Sequence, residues 1–240
     1  MCMVAGGVTK RYAILATDSA QYDFENDKVT LESPKLFYTT NNKYAFTFIG
    51  TPLFMSNFDW KQFNEPMDVL AAYLSEHLTA QRARVEEEWK NVGDDEDPRF
   101  ALFVSGMHKA IPAIASFNGY KKFRPEFLWT KEPDETKFLS IHYGGEVEGK
   151  KEIFSDAAAF MELKAKRFTA LRQGWSEKGA AARGMSPGLL AEILTRGIYK
   201  KADAEMKIGE KVKYAGGAVN LLLVSAGGIN TMSGASPARV

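Results

Sequence analysis

The sequence predicts an α+β fold, and three observations carry that expectation. The chain has 240 residues and 45% apolar content, enough to bury one large core, so a single domain spanning 1–240 is expected. Short apolar runs rich in strand formers crowd the first fifty residues and recur near residues 100–117 and 218–225. Set between these runs are stretches with apolar residues at three- and four-residue steps, the period of an amphipathic helix. Strands grouped with strands and helices with helices give α+β in general, with antiparallel sheets against helical layers.

The elements follow in order. Met3–Val8 (MVAGGV) and Tyr12–Thr17 (YAILAT) are apolar runs that a turn at Thr9–Lys10–Arg11 would pair antiparallel, with Asp18 emerging at the end. Ser19–Lys28 is polar and reads as a loop. Lys35–Thr40 (KLFYTT) and Tyr44–Ile49 (YAFTFI) flank the turn signal Asn41–Asn42, and Gly50 closes the second run. Pro52 suits a helix start and Pro66 opens a longer helix. Met67, Leu70, Ala71, Leu74, Leu78, Val85 and Trp89 form its apolar stripe, with Glu76, Arg82, Arg84 and Glu86–Glu88 on the solvated face.

Val92–Pro98 is a charged loop without the alternating ligands and closing glutamate of a calcium loop. Phe100–Val104 and Ile111–Phe117 are expected strands about a Gly106–Lys109 turn, followed by Glu126–Thr130 and Lys137–His142. Ser155–Arg172 and the stretch from Ser186 and Pro187 read as helices. The second of these would bury Leu189, Leu190, Ile193, Leu194 and Ile198, and Gly174–Gly184 is a basic linker. Lys200–Lys213 is expected to be a surface turn and a fraying helix end. Ala218–Ser225 is an apolar strand, and about 226–240 is expected to be a flexible tail.

Charge and cysteine content bound the function. Lys plus Arg is 31 against 30 for Asp plus Glu, so bulk charge does not draw the chain to nucleic acid or a membrane. The longest apolar runs fall far short of the ~20 residues that span a bilayer. No basic region leads into a long apolar core at the start, so no signal peptide is expected. One cysteine allows no internal disulfide and suits a reducing compartment, so a cytoplasmic location is expected. His77, His108 and His142 do not have metal-ligand spacing, and neither metal nor cofactor is expected.

That cysteine is the second residue. Removal of Met1, which a small neighbour permits, would place a thiol and a free α-amine on one residue, a nucleophile with its own base. The amine titrates at about 7.7–8.0, so a proton-accepting fraction exists near neutrality. The thiol, at about 8.5 unperturbed, needs positive charge nearby.

With Cys2, Leu15–Ala16–Thr17–Asp18, Lys35 and Ile49–Gly50 in this order and spacing, the chain resembles the N-terminal nucleophile hydrolases. Within them it resembles the proteasome β-subunit and its bacterial hexameric relative. Phe100–Gly106 with Ala110–Asn118 resembles the family's central hairpin, and Tyr214–Val224 its late strand. The resemblance implies a four-layer αββα sandwich with two antiparallel sheets between helical layers. It implies amide-bond hydrolysis by Cys2, with Lys35 lowering the thiol pKa, Asp18 balancing Lys35, and the Gly50 amide donating to the oxyanion. Gln21, Phe37 and Phe48 would line the pocket for the residue before the cut, although strand aromatics also commonly serve as core. It further implies a peptide or amide substrate, a homo-oligomeric ring and an unfoldase partner. The family's outer serine and aspartate–serine pair are not matched: Tyr143–Gly144–Gly145, Val212 and Ala215 stand there. A catalytically inactive ring or scaffold subunit, or a small-molecule amidase or acylase, are the alternatives on the same frame.

Overall fold

The structure is a computed structural model that describes residues 3–19, 21–23, 28–30, 35–91, 100–118, 123–142, 185–207, 218–233 and 238–239. The chain begins with a hairpin. Strands β1 (Met3–Val8) and β2 (Tyr12–Asp18) are buried along their whole length and pair antiparallel with Val4 opposite Thr17. The Thr9 hydroxyl closes the turn, donating to the Tyr12 carbonyl at 3.0 Å while accepting from the Tyr12 amide at 3.2 Å. A strand buried on both faces reads as a continuous apolar run, which is why neither segment shows alternation.

The polar stretch after Asp18 is not only loop. Gln21–Asp23 (β3) and Lys28–Thr30 (β4) form a short antiparallel pair. The predicted strand from Lys35 contracts to Phe37–Tyr38 (β5), which pairs with Ala45–Gly50 (β6) across a turn in which Asn42 takes φ +58°. Asparagine tolerates that conformation better than most residues. The region behind Pro52 forms two 3-10 turns, Pro52–Met55 and Trp60–Asn64, capped by the Thr51 and Asp59 side chains, rather than one helix. Met67–Asn91 (α1) then buries Met67, Leu70, Ala71, Leu74, Leu78 and Val85 of the expected stripe, and the Trp89 side chain lies outside the described residues.

Phe100–His108 (β7) runs three residues into the predicted Gly106–Lys109 turn, Ile111–Asn118 (β8) begins where expected, and Lys109 and Ala110 make the turn with φ of +50° and +62°. Pro125–Leu128 (β9), Lys137–His142 (β10), Pro187–Lys207 (α2) and Val219–Ser225 (β11) follow. Helix α2 carries helical backbone through Lys207, past the start of the expected fraying end. The stretch after Ala226 departs from a flexible tail: Gly228–Ser233 (β12) pairs with β11, and Ala238–Arg239 (β13) pairs with β5. The expected loop Val92–Pro98, the helix Ser155–Arg172 and the linker Gly174–Gly184 lie outside the described residues.

Two larger sheets result. The first has the order β10-β1-β2-β11-β12 and the second β13-β5-β6-β7-β8-β9. Among the described residues every pairing is antiparallel except β13 with β5. Strand alternation sorts the side chains into three apolar clusters. Met3, Ala5, Ile14, Ala16 and Leu221 from the first sheet pack with Leu190, Ile193, Leu194 and Ile198 of α2. Phe46, Leu102, Val104 and Phe117 from the second pack with Met67, Leu70 and Leu74 of α1. The intervening residues, among them Val4, Leu15, Leu222, Ala45, Ile49 and Phe103, form one cluster shared by the two sheets. Gly7 lets α2 approach β1 closely, since a Cβ there would lie 2.6 Å from Leu190 Cδ1.

Candidate active site

The end of β2 holds a buried, charged group built from three segments of the chain. Asp18 is fully buried. Its Oδ1 accepts from the main-chain N–H of Met3 at 2.9 Å. The carboxylate thus extends the β1–β2 ladder by one rung after Val4 opposite Thr17. Lys35 Nζ stands 3.4 Å from both Oδ1 and Oδ2, centred on the carboxylate. The Lys35 side chain is 12% exposed, so both charges of the pair are largely out of water. A carboxylate buried this deeply needs a cation and N–H donors, because desolvation otherwise costs several kcal/mol. Lys35 is itself held: its carbonyl accepts from Thr47 Oγ1 at 2.6 Å. Four segments therefore converge, namely the start of β1, the end of β2, the lead-in to β5 and the middle of β6.

The other expected site residues are placed as follows. Gly50 is the last residue of β6, opposite Phe100, with φ +96°. A side chain at that angle would be strained, so glycine is required for β6 to turn into Thr51 and the first 3-10 turn. It lies three residues beyond Thr47, about 10 Å along the strand. Phe37 and Phe48 stack on each other with ring centroids 6.2 Å apart, and Phe37 also stacks on Phe46 at 5.4 Å. Both are half-buried against the α1 cluster, on the opposite face of β6 from Thr47. Gln21 sits in β3 opposite Thr30, and its side chain lies outside the described residues. Cys2 lies outside them too; the Met3 nitrogen that meets Asp18 is the one bonded to it.

Beside this pair is a feature that the motif reading missed. Thr17 and Asn220 face each other across β2 and β11, one row in from Asp18 and Val219. Both are buried, and Thr17 Oγ1 and both polar atoms of the Asn220 amide have no hydrogen-bond partner. By alternation they point, like Leu15 and Leu222, between the sheets. The signal in the sequence was a single polar residue inside an otherwise apolar run, as in VNLLLV and, for Thr47, YAFTFI. Each such unmade bond costs roughly 1–3 kcal/mol.

Among the described residues, three titrating side chains are shifted, all chiefly by burial. The Tyr12 hydroxyl donates to the Met185 carbonyl and its pKa is raised to about 12, an effect that Thr9 and Arg11 oppose. Tyr44, donating to the Glu65 carbonyl at 2.7 Å, is also raised to about 12, with Asp68 and Glu65 adding to burial. His77 is lowered from 6.5 by burial, opposed by a hydrogen bond with the Phe54 backbone. It packs edge-on to Phe58 at 5.4 Å and over Tyr73 at 6.1 Å, and has a structural place in the α1 face. His108 stacks on Phe127 at 4.5 Å. Among the described residues no helix is long and apolar enough to cross a membrane, and no group of three or more His, Cys, Asp or Glu could hold a metal ion.

No protein-family model matches the chain, and no curated protein sequence matches it.

Proposed function

We propose that this chain is an amide-bond hydrolase of the N-terminal nucleophile type, with Cys2 as nucleophile once it has been freed as the N-terminus. The observation that carries the reading is the single contact set at Asp18: the Met3 amide at 2.9 Å and the Lys35 ammonium at 3.4 Å on one buried carboxylate. It joins the residue after Cys2 to the two charged residues that the resemblance assigns to the site. The two sheets with α1 and α2 each packed on one of them support the finer arrangement, a four-layer αββα sandwich.

In this mechanism the Cys2 thiolate attacks the carbonyl carbon and forms the C–S bond. The thiol proton passes to the α-amine, which then protonates the leaving nitrogen as the C–N bond breaks. Water adds to the thioester, its proton returns through the amine, and the thiolate leaves. Lys35 holds positive charge beside the thiol and Asp18 fixes Lys35. The Gly50 amide meets the oxyanion, a contact worth on the order of 3 kcal/mol. Phe37 and Phe48 are read as an apolar wall for the substrate. The natural setting of this reading is a cytoplasmic peptidase ring working with an unfoldase.

The test is intact mass of the natural protein before and after a thiol-directed acylating probe. The reading expects a chain beginning at Cys2 that gains one adduct, and Lys35→Ala abolishes the adduct at neutral pH. A residue retained ahead of Cys2 together with an inert thiol overturns it and leaves a silent scaffold subunit. Cleavage of small amides without cleavage of peptides identifies the amidase instead.

A further inference from the structure

The second sheet ends in an anomaly. Its outermost strand, β13, is only Ala238–Arg239, and it lies parallel to β5 with Ala238 opposite Phe37 and Arg239 opposite Tyr38. Every other described pairing in that sheet is antiparallel and joins strands adjacent in the chain. The β13 contact instead brings in a segment from about two hundred residues away, and its ladder is two residues long against six for β6 with β7. A ladder of two residues, placed five residues after β12 ends at Ser233, is a weak hold, since few main-chain bonds oppose its release. Pro237 precedes the paired residues and has no N–H to extend the ladder.

What that segment covers is the backbone edge of β5. An open edge is a template for an added strand, with main-chain groups supplying affinity and flanking side chains supplying selectivity. Here the flank is aromatic, since Phe37 is stacked on Phe46 and Phe48. Two residues upstream is Lys35, at most about 7 Å away along the chain, with its ammonium on Asp18. A strand laid on β5 therefore runs past the buried ion pair.

We propose that the β5 edge, Phe37–Tyr38, is a docking edge for an extended peptide running parallel to it, and that the segment 238–239 is an intramolecular occupant that an incoming peptide displaces. Binding at this edge rests on the pairing alone and not on hydrolysis at Cys2. The two therefore fail separately.

The experiment compares the full chain with two released forms, one lacking residues 234–240 and one carrying Ala238→Pro with Arg239→Pro, which removes both amide donors while keeping the length. The probe is a fluorescein-labelled peptide of residues 234–240, read by polarisation, with hydrogen exchange read alongside at the Tyr38 amide, since the Thr39 amide is bonded to the Tyr44 carbonyl of the β6 side. Both released forms are expected to bind the peptide at least tenfold more tightly than the full chain. Their Tyr38 amide should exchange at least tenfold faster and regain protection when peptide is added. Equal affinity in all three proteins, or released forms that melt like the full chain yet bind no peptide, overturns the proposal. So does β5 protection in the full chain that rises with protein concentration, which would assign the occupant to a second copy.

Discussion

Lys35→Met removes the ammonium from a carboxylate that has no access to water. At 3.4 Å and an effective dielectric of about 20, the direct attraction is about 5 kcal/mol. Part of that is returned, because Lys35 is itself desolvated and methionine keeps the stem packed. What remains is dominated by the stranded charge, and removing one partner of a buried pair typically costs 3–5 kcal/mol. The 12% exposure of Lys35 sets the expectation at the lower end, about 3 kcal/mol. Asp18→Asn should cost less, about 1–2 kcal/mol, since its carbonyl oxygen still accepts from Met3 and the lysine can turn toward solvent. The double variant should cost clearly less than the two singles added, with a coupling above about 1 kcal/mol. Urea unfolding followed by the fluorescence of the four tryptophans measures all four proteins. A Lys35→Met variant within about 0.5 kcal/mol of the parent, or strictly additive singles, refutes the reasoning, because either result means the carboxylate does not depend on this cation.

Thr17→Val with Asn220→Leu replaces the unpartnered polar pair by apolar groups of similar shape and should be neutral or stabilising by about 1 kcal/mol; a loss of more than that in urea would show that the pair is satisfied in solution and that its polarity is used. His77 is neutral in the folded chain with its pKa below 6.5, so the unfolded chain takes up the proton first as pH falls. The stability contributed by the neutral ring is complete above about 6.5 and lost as pH drops below it. His77→Gln should flatten the fall in urea midpoint between pH 7 and pH 5, and an unchanged slope would remove His77 as its source.

Much of the frame was legible locally. The β1–β2 hairpin could be read because an apolar run, a polar turn and a second apolar run leave the chain little choice. Helix α1 could be read because its apolar residues keep one face for about five turns, from Met67 to Val85, and α2 because Ser186 and Pro187 mark its start and the Ser186 hydroxyl accepts the Leu189 amide at 3.3 Å. The 3-10 turns behind Pro52 were not legible, since Phe54, Phe58 and Phe63 bind that segment to the α1 cluster and override its helix signal. Strand β12 was hidden for a similar reason. Its Gly-rich composition reads as a tail, and only the exposed edge of β11 gives it a ladder.

The sequence by itself determined the α+β class and the hairpin that returns Asp18 to the chain start, because those follow from periodicity and short connections. Only the tertiary structure decided that Lys35 meets Asp18, that Thr17 and Asn220 face each other unpartnered between the sheets, and that Ala238–Arg239 closes the edge of β5. Each depends on which strands become neighbours across long stretches of chain, and that is set by the packing of whole sheet faces rather than by any local pattern.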